Sequence, residues 1–142
     1  MLLLSGCTAA PAPTPSRPAA HPTPTSSPAP TLHPDGAAAE NLPLFTMVVD
    51  QVWASPSKTS AQAYVDALAT AGFTRADMQM TADASTVGNP AESIQFSVRW
   101  GSTQCLVGQV GPSTGDPVTA VLPQLAGGRC LIGTTPSTSG AQ

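Results

Sequence analysis

The chain predicts an α+β fold: two N-terminal helices packed on a small antiparallel sheet in two layers, preceded by a disordered proline-rich tether. Three observations lead there. Apolar residues between 42 and 71 recur at helical spacing, those between 93 and 110 alternate at strand spacing, and the first 39 residues contain almost nothing that could form a core.

The segment from residue 8 to 39 is mostly Pro, Ala, Thr and Ser, with two histidines, one arginine, one aspartate and one glycine, and Leu32 is its single large apolar side chain. Such a composition cannot bury enough surface to offset the entropy of ordering. Proline-rich chains favour extended polyproline II, which at roughly 3.1 Å per residue gives about thirty residues a reach approaching ~90 Å. Residues 40–134 form the predicted folded domain, and 135–142 form a polar tail.

Within the domain, Leu42, Phe45, Val48, Val49 and Val52 fall on one face of a first helix ending near Trp53, with Pro43 tolerated in its first turn. A second helix starts at Thr59, whose hydroxyl caps it while Gln62 reaches back, and runs through Tyr64, Val65 and Leu68 to Ala71. Gly72 followed by Phe73 matches a left-handed C-terminal cap with its hydrophobic contact.

Strands follow. Met78 to Thr81 is a short candidate, and Ser93 to Trp100 alternates, with Ile94, Phe96, Val98 and Trp100 inward and Ser93, Gln95, Ser97 and Arg99 outward. Gly101-Ser102-Thr103 turns the chain, so Gln104 to Val110 returns antiparallel. Val118 to Leu125 has helical spacing, and Cys130 to Gly133 is read as a last strand. The echo of Cys105-Leu106-Val107-Gly108 in Cys130-Leu131-Ile132-Gly133 suggests two similar strands lying side by side.

The start of the chain carries an address. Leu4-Ser5-Gly6-Cys7 resembles a lipobox, the motif at which bacterial lipoproteins are acylated on the cysteine thiol and cut just before it. Cys7 is therefore the expected lipidation site, residues 1–7 the end of a signal peptide, and the rest of that signal is expected upstream of Met1. Lipidation of Cys7 leaves Cys105 and Cys130 to pair with each other in an oxidising compartment. The sharper alternative makes Cys105 a reactive nucleophile. The expected location is the extracytoplasmic side of a cell membrane, held by lipid, since two acyl chains anchor where one does so only marginally. A net charge of −3 with five basic residues argues against a nucleic-acid surface.

Asn41-Leu42, Ala67 to Phe73, Met78 with Thr81, Asp83 with Thr86-Val87-Gly88, Ser93 to Arg99, Cys105 to Gln109 and Cys130 to Gly133 together resemble a domain of unknown function found in exported lipoproteins of high-GC Gram-positive bacteria. The resemblance covers residues 40–134. It implies location and fold, and carries no activity.

Both histidines, His21 and His33, fall in the tether, which leaves no imidazole inside the domain for a Ser-His or Cys-His pair. No phosphate loop, paired CxxC or HExxH is present, and neither a metal nor another cofactor is implied. Asp83, Thr86 and Arg99 are the candidate ligand-binding residues. Asp83 and Thr86 lie in the polar loop 83–90, which either turns the backbone by local hydrogen bonds or cradles a ligand. Arg99 either binds an anionic or sugar ligand or pairs with a nearby acid. Trp53 and Trp100 read as core or core-edge residues, with Trp53 before Ser55-Pro56 open to exposure. The function expected is a non-catalytic binding or accessory module taking a cell-envelope protein or polymer. The alternatives are a small glycan-active enzyme using Asp83 with Glu92, and a purely structural lipoprotein.

Overall fold

A computed structural model describes residue 23 and residues 25–132. Cys7 and the lipobox, the start of the tether and the tail 135–142 lie outside the described residues.

Helix α1 (Ala38–Trp53) and helix α2 (Ala61–Thr70) cover one face of a four-stranded antiparallel meander, β1 (Met78–Met80), β2 (Ile94–Trp100), β3 (Gln104–Val110) and β4 (Val118–Pro123), in that spatial order. The α+β, helix-on-sheet expectation holds. α1 packs over β3 and β4, and α2 over β1 and β2.

α1 begins before Leu42 because the residues ahead of it are tied down. The Ala37 N–H donates to Glu40 Oε2 at 2.6 Å. Fully buried Asn41 accepts from the His33 N–H at 2.7 Å and donates to the carbonyls of His33 at 2.9 Å and Ala37 at 3.0 Å. Trp100 Nε1 donates to the Gly36 carbonyl at 2.8 Å, and Leu32 packs against the core. Residues 32–37, tether by composition, therefore lie against the domain. Pro43 consequently stands in the second turn rather than the first, and the Ala39 carbonyl receives no N–H from it.

α2 is capped by Ser60 rather than Thr59: its hydroxyl accepts from the Ala63 N–H at 3.4 Å, and Gln62 turns forward to Asp66. The C-terminal end follows the sequence. Phe73 N–H reaches the Leu68 carbonyl, Gly72 N–H reaches that of Ala69, and Gly72 takes a φ of 108°.

The core forms where Tyr64 stacks on Phe96, with centroids 4.4 Å apart, and Phe45 meets both Phe96 and Phe73. Gly108 lies beneath Phe96 in β3, and a Cβ there would stand 2.2 Å from Phe96 Cε2. Tyr64 keeps its hydroxyl satisfied by donating to the Lys58 carbonyl at 2.8 Å, and burial pushes its pKa up to about 12.

Two expectations fail at the C-terminal end. Val118 to Leu125 is not helical: Val118–Pro123 is strand β4, paired along its length with β3. The run is short and bounded by Pro117 and Pro123, and β3 offered a row of backbone groups that only a strand could satisfy. Nor do Cys130–Ile132 form a strand beside β3, a place β4 already holds, while Gly133 is outside the described residues. The chain instead turns at Leu125–Arg129 and crosses the outer sheet face. There the Gln79 side chain accepts from the N–H groups of Cys130 at 2.7 Å and Leu131 at 3.2 Å. Cys130 still reaches Cys105, and the two form a disulfide with Cα atoms 5.8 Å apart.

Candidate functional site

Four segments converge at one end of the sheet: the last residue of α1, the α1–α2 connection, the loop 83–91, and the turn leaving β3. Between them is a concave pocket of about 420 Å³ lined mainly by apolar groups, with Trp53, Ile94, Pro90 and Pro112 as its walls and Lys58, Thr59 and Asp83 as its polar edge. Trp53 is half-buried, and the Lys58 ammonium lies over its ring, 5.3 Å from the centroid. The ring's quadrupole favours a cation in that place, so Lys58 and the Trp53 ring together form one wall of the pocket.

Asp83 has a second task. Its Oδ1 accepts from the Ala61 N–H at 2.7 Å, satisfying a free donor of the first turn of α2 from 22 residues away. Its backbone carbonyl accepts from Ala91 at 2.8 Å, which closes the loop at its base. Above that, Ala84 bridges Pro90, Ser85 N–H reaches the Asn89 carbonyl at 2.8 Å, and Gly88 N–H reaches that of Ser85 at 2.9 Å. Gly88 has a φ of 81°, which suits glycine. The loop is thus a self-bonded hairpin, and its turning and pocket-lining roles are compatible. Gly111 is close to obligatory on the opposite wall, since a Cβ there would lie 2.3 Å from the Glu92 carbonyl oxygen.

The three candidate residues do not come together. Asp83 lines the pocket, whereas Thr86 is exposed at the tip of the loop and is not among its walls. Arg99 lies five residues beyond Ile94 on the same strand, about 16 Å away at strand rise. Its guanidinium pairs with Asp77, Nη2 to Oδ1 at 2.5 Å and Nε to the same oxygen at 3.2 Å. That pair borders a separate, more polar concavity of about 610 Å³ that includes Pro34, Asp35 and Trp100. Glu92 does not line the Asp83 pocket, and His33 lies in the segment before α1. The reactive-thiol alternative for Cys105 gives way to the disulfide. Lys58 and the Gly111-Pro112 wall escaped sequence reasoning: a lone lysine in a Ser-Pro-Ser-Lys-Thr loop carries no signal of its own.

Comparison with curated proteins and comparison with solved structures each return no match. A family model matches residues 49–134, from the second half of α1 through the sheet and both disulfide cysteines. The match takes in the whole pocket and more than half of the sequence, and the chain therefore belongs to the family defined by the domain of unknown function DUF6993.

Proposed function

We propose that this chain is a lipid-anchored, extracytoplasmic, non-catalytic binding module that takes a cell-envelope partner, protein or polymer, in the pocket between Trp53 and Asp83. The pocket carries the reading: it is the concavity in which an aromatic face, a cation and a carboxylate meet over an otherwise apolar surface, the mixture of shape and sparse polar anchors that ligand sites use. The Cys105–Cys130 disulfide supports an oxidising compartment. Leu4-Ser5-Gly6-Cys7 supports attachment through lipid on Cys7, and the proline-rich composition of the segment that follows it suits a spacer between that anchor and the domain. Binding is favoured over glycan cleavage because Asp83 already has one oxygen committed to α2 and Glu92 stands outside the pocket, so no second acid faces it there. The Asp83 end is favoured over the Arg99 end because Arg99 is engaged by Asp77.

The test has two parts. Intact mass of the protein from its native membrane fraction should show a diacylated Cys7 as first residue; an unlipidated chain retaining Met1 to Gly6 would overturn the anchor. Amide-correlation NMR during addition of solubilised cell-wall fragments should then shift the Trp53 indole together with Gly88, Ala91 and Gly111, saturably, while the Arg99 side chain stays put. Shifts at Arg99 alone, or none at all, would sink the pocket reading.

A further inference from the structure

The sheet ends in β4, whose far edge is unpaired among the described residues. The direction of every backbone group on that strand follows from one hydrogen bond. Gln124 N–H donates to the Thr103 carbonyl at 2.8 Å, so 103 and 124 form a hydrogen-bonded pair. Antiparallel pairs alternate, hence Leu122, Ala120 and Val118 turn their N–H and C=O toward β3, and Pro117, Thr119, Val121 and Pro123 turn theirs away from it. The two prolines have no N–H to offer. Thr119 and Val121 are left as the outward residues on β4 that present both a donor and an acceptor.

The strand is nearly symmetric about Ala120: Pro117-Val118-Thr119-Ala120-Val121-Leu122-Pro123 reads proline, aliphatic, β-branched in both directions. We propose that β4 is a dimerisation edge, pairing antiparallel with β4 of a second copy about a twofold axis at Ala120 and making one eight-stranded sheet. In that register Thr119 faces the second copy's Val121 and Val121 its Thr119, which pairs the free donors and acceptors of both residues in four hydrogen bonds. A shift of two residues would set a proline against an N–H or C=O that needs a partner. The side chains agree. Val118 and Leu122, both large, apolar and exposed, meet across the axis on the outer face, while Thr119 and Val121 stay inward, Thr119 bonded to Thr46 and Val121 packed on the core. Charge does not oppose the pairing: β4 contains no charged residue, and Asp116 comes opposite Gln124 of the second copy. Exposed edges are blunted by charged side chains, lysine above all, or by proline; β4 carries no charge, and its flanking prolines Pro117 and Pro123 confine any pairing to the residues between them.

The register gives a sharp test, made in the full chain with Cys7→Ser so that no other thiol is free. Ala120 sits in a pair that is not hydrogen-bonded across the axis, where Cα atoms are about 4.5 Å apart, within disulfide reach. Ala120→Cys should give a covalent dimer under mild oxidation at low protein concentration. Val118→Cys alone and Leu122→Cys alone should not, whereas a mixture of those two variants should cross-link to each other. Without any added cysteine, sedimentation should show a monomer–dimer equilibrium that Ala120→Lys shifts to monomer by setting like charges face to face. An Ala120→Cys chain that stays monomeric, or a Val118→Cys chain that self-links equally well, overturns the proposal and leaves the edge to another strand or to solvent.

Discussion

Replacing Gly108 with alanine tests the core at the point where one methyl group has the least room. The added Cβ would lie 2.2 Å from Phe96 Cε2 and 2.5 Å from Cζ, and glycine's neighbours there are ring atoms rather than the loose end of a flexible chain. Phe96 is completely buried, stacked on Tyr64 with an interplanar angle of 9° and set against Phe45 at 6.1 Å, so it cannot tilt without disturbing both. Overpacking of this kind costs about 1–3 kcal/mol. Loosening two aromatic contacts adds about 0.5–1.5 kcal/mol each. Against this, alanine restricts the unfolded chain and returns about 0.4–1 kcal/mol. The expected net loss is about 2–4 kcal/mol, which in a domain of this size lowers Tm by about 10–25 °C. Thermal unfolding followed by circular dichroism measures it, and Phe96→Leu in the Gly108→Ala background should recover part of the loss. A Gly108→Ala variant as stable as the parent, or strictly additive effects in the double variant, would show that the ring position is not what requires glycine at 108.

Two further expectations follow from the same structure. Replacing Cys105 and Cys130 with alanine opens a loop of 25 residues, which on the chain-entropy account costs about 3.5 kcal/mol; urea unfolding that barely moves would mean the buried segment 130–131 holds itself down without the bond. Tyr64 is the single tyrosine of the chain, so its ionisation can be followed by near-ultraviolet absorbance without interference. The folded pKa of about 12 lies above the unfolded value near ~10, so folding favours the neutral phenol; this stabilisation is complete below pH ~10 and is lost as pH rises toward 12. Titration near pH ~10 with the secondary structure intact would contradict the burial assigned to the ring.

What the sequence made legible was whatever a single element decides. The helical faces of 42–52 and 64–68, the Gly72-Phe73 stop and the hairpin from Ile94 to Val110 are local patterns, and each appears where the spacing put it. The errors are all cases in which a distant partner decided. Val118, Val121, Leu122 and Leu125 satisfy helical spacing, but the free edge of β3 claimed the segment as a strand, and Pro123 in the middle of that spacing was the neglected sign. Thr59 was a reasonable cap by residue type, yet Ser60 took the position once Asp83 satisfied the neighbouring donor. The pocket was half legible: Trp53 and the Asp83 loop stood out for their chemistry, but nothing local says that residues 30 apart share one concavity, or that Gly111 and Pro112 close it. The pairing of Arg99 with Asp77 follows the usual fate of an arginine near an acid, and only the fold says which acid.

The two faces of the sheet divide the work of a thin domain. The inner face carries the aromatic core under the helices. The outer face would be left to water, but at the Arg99 end the segment ending in Leu131 crosses it, fixed by the disulfide to β3 and by Gln79 to β1. The cover is deep enough to bury Ser97 completely, and its hydroxyl has no hydrogen-bond partner among the described residues. A buried hydroxyl without a partner costs stability, and the disulfide to the adjacent strand, together with the Gln79 hydrogen bonds, holds the segment in place against that cost. The Trp53–Asp83 pocket sits at the opposite end, beside Ile94 and Gly111, and shares no residue with the staple. The disulfide thus ties down one end of β2 and β3 while the other end opens into the pocket, so substitutions at the wall positions around Trp53 leave the staple's own contacts untouched.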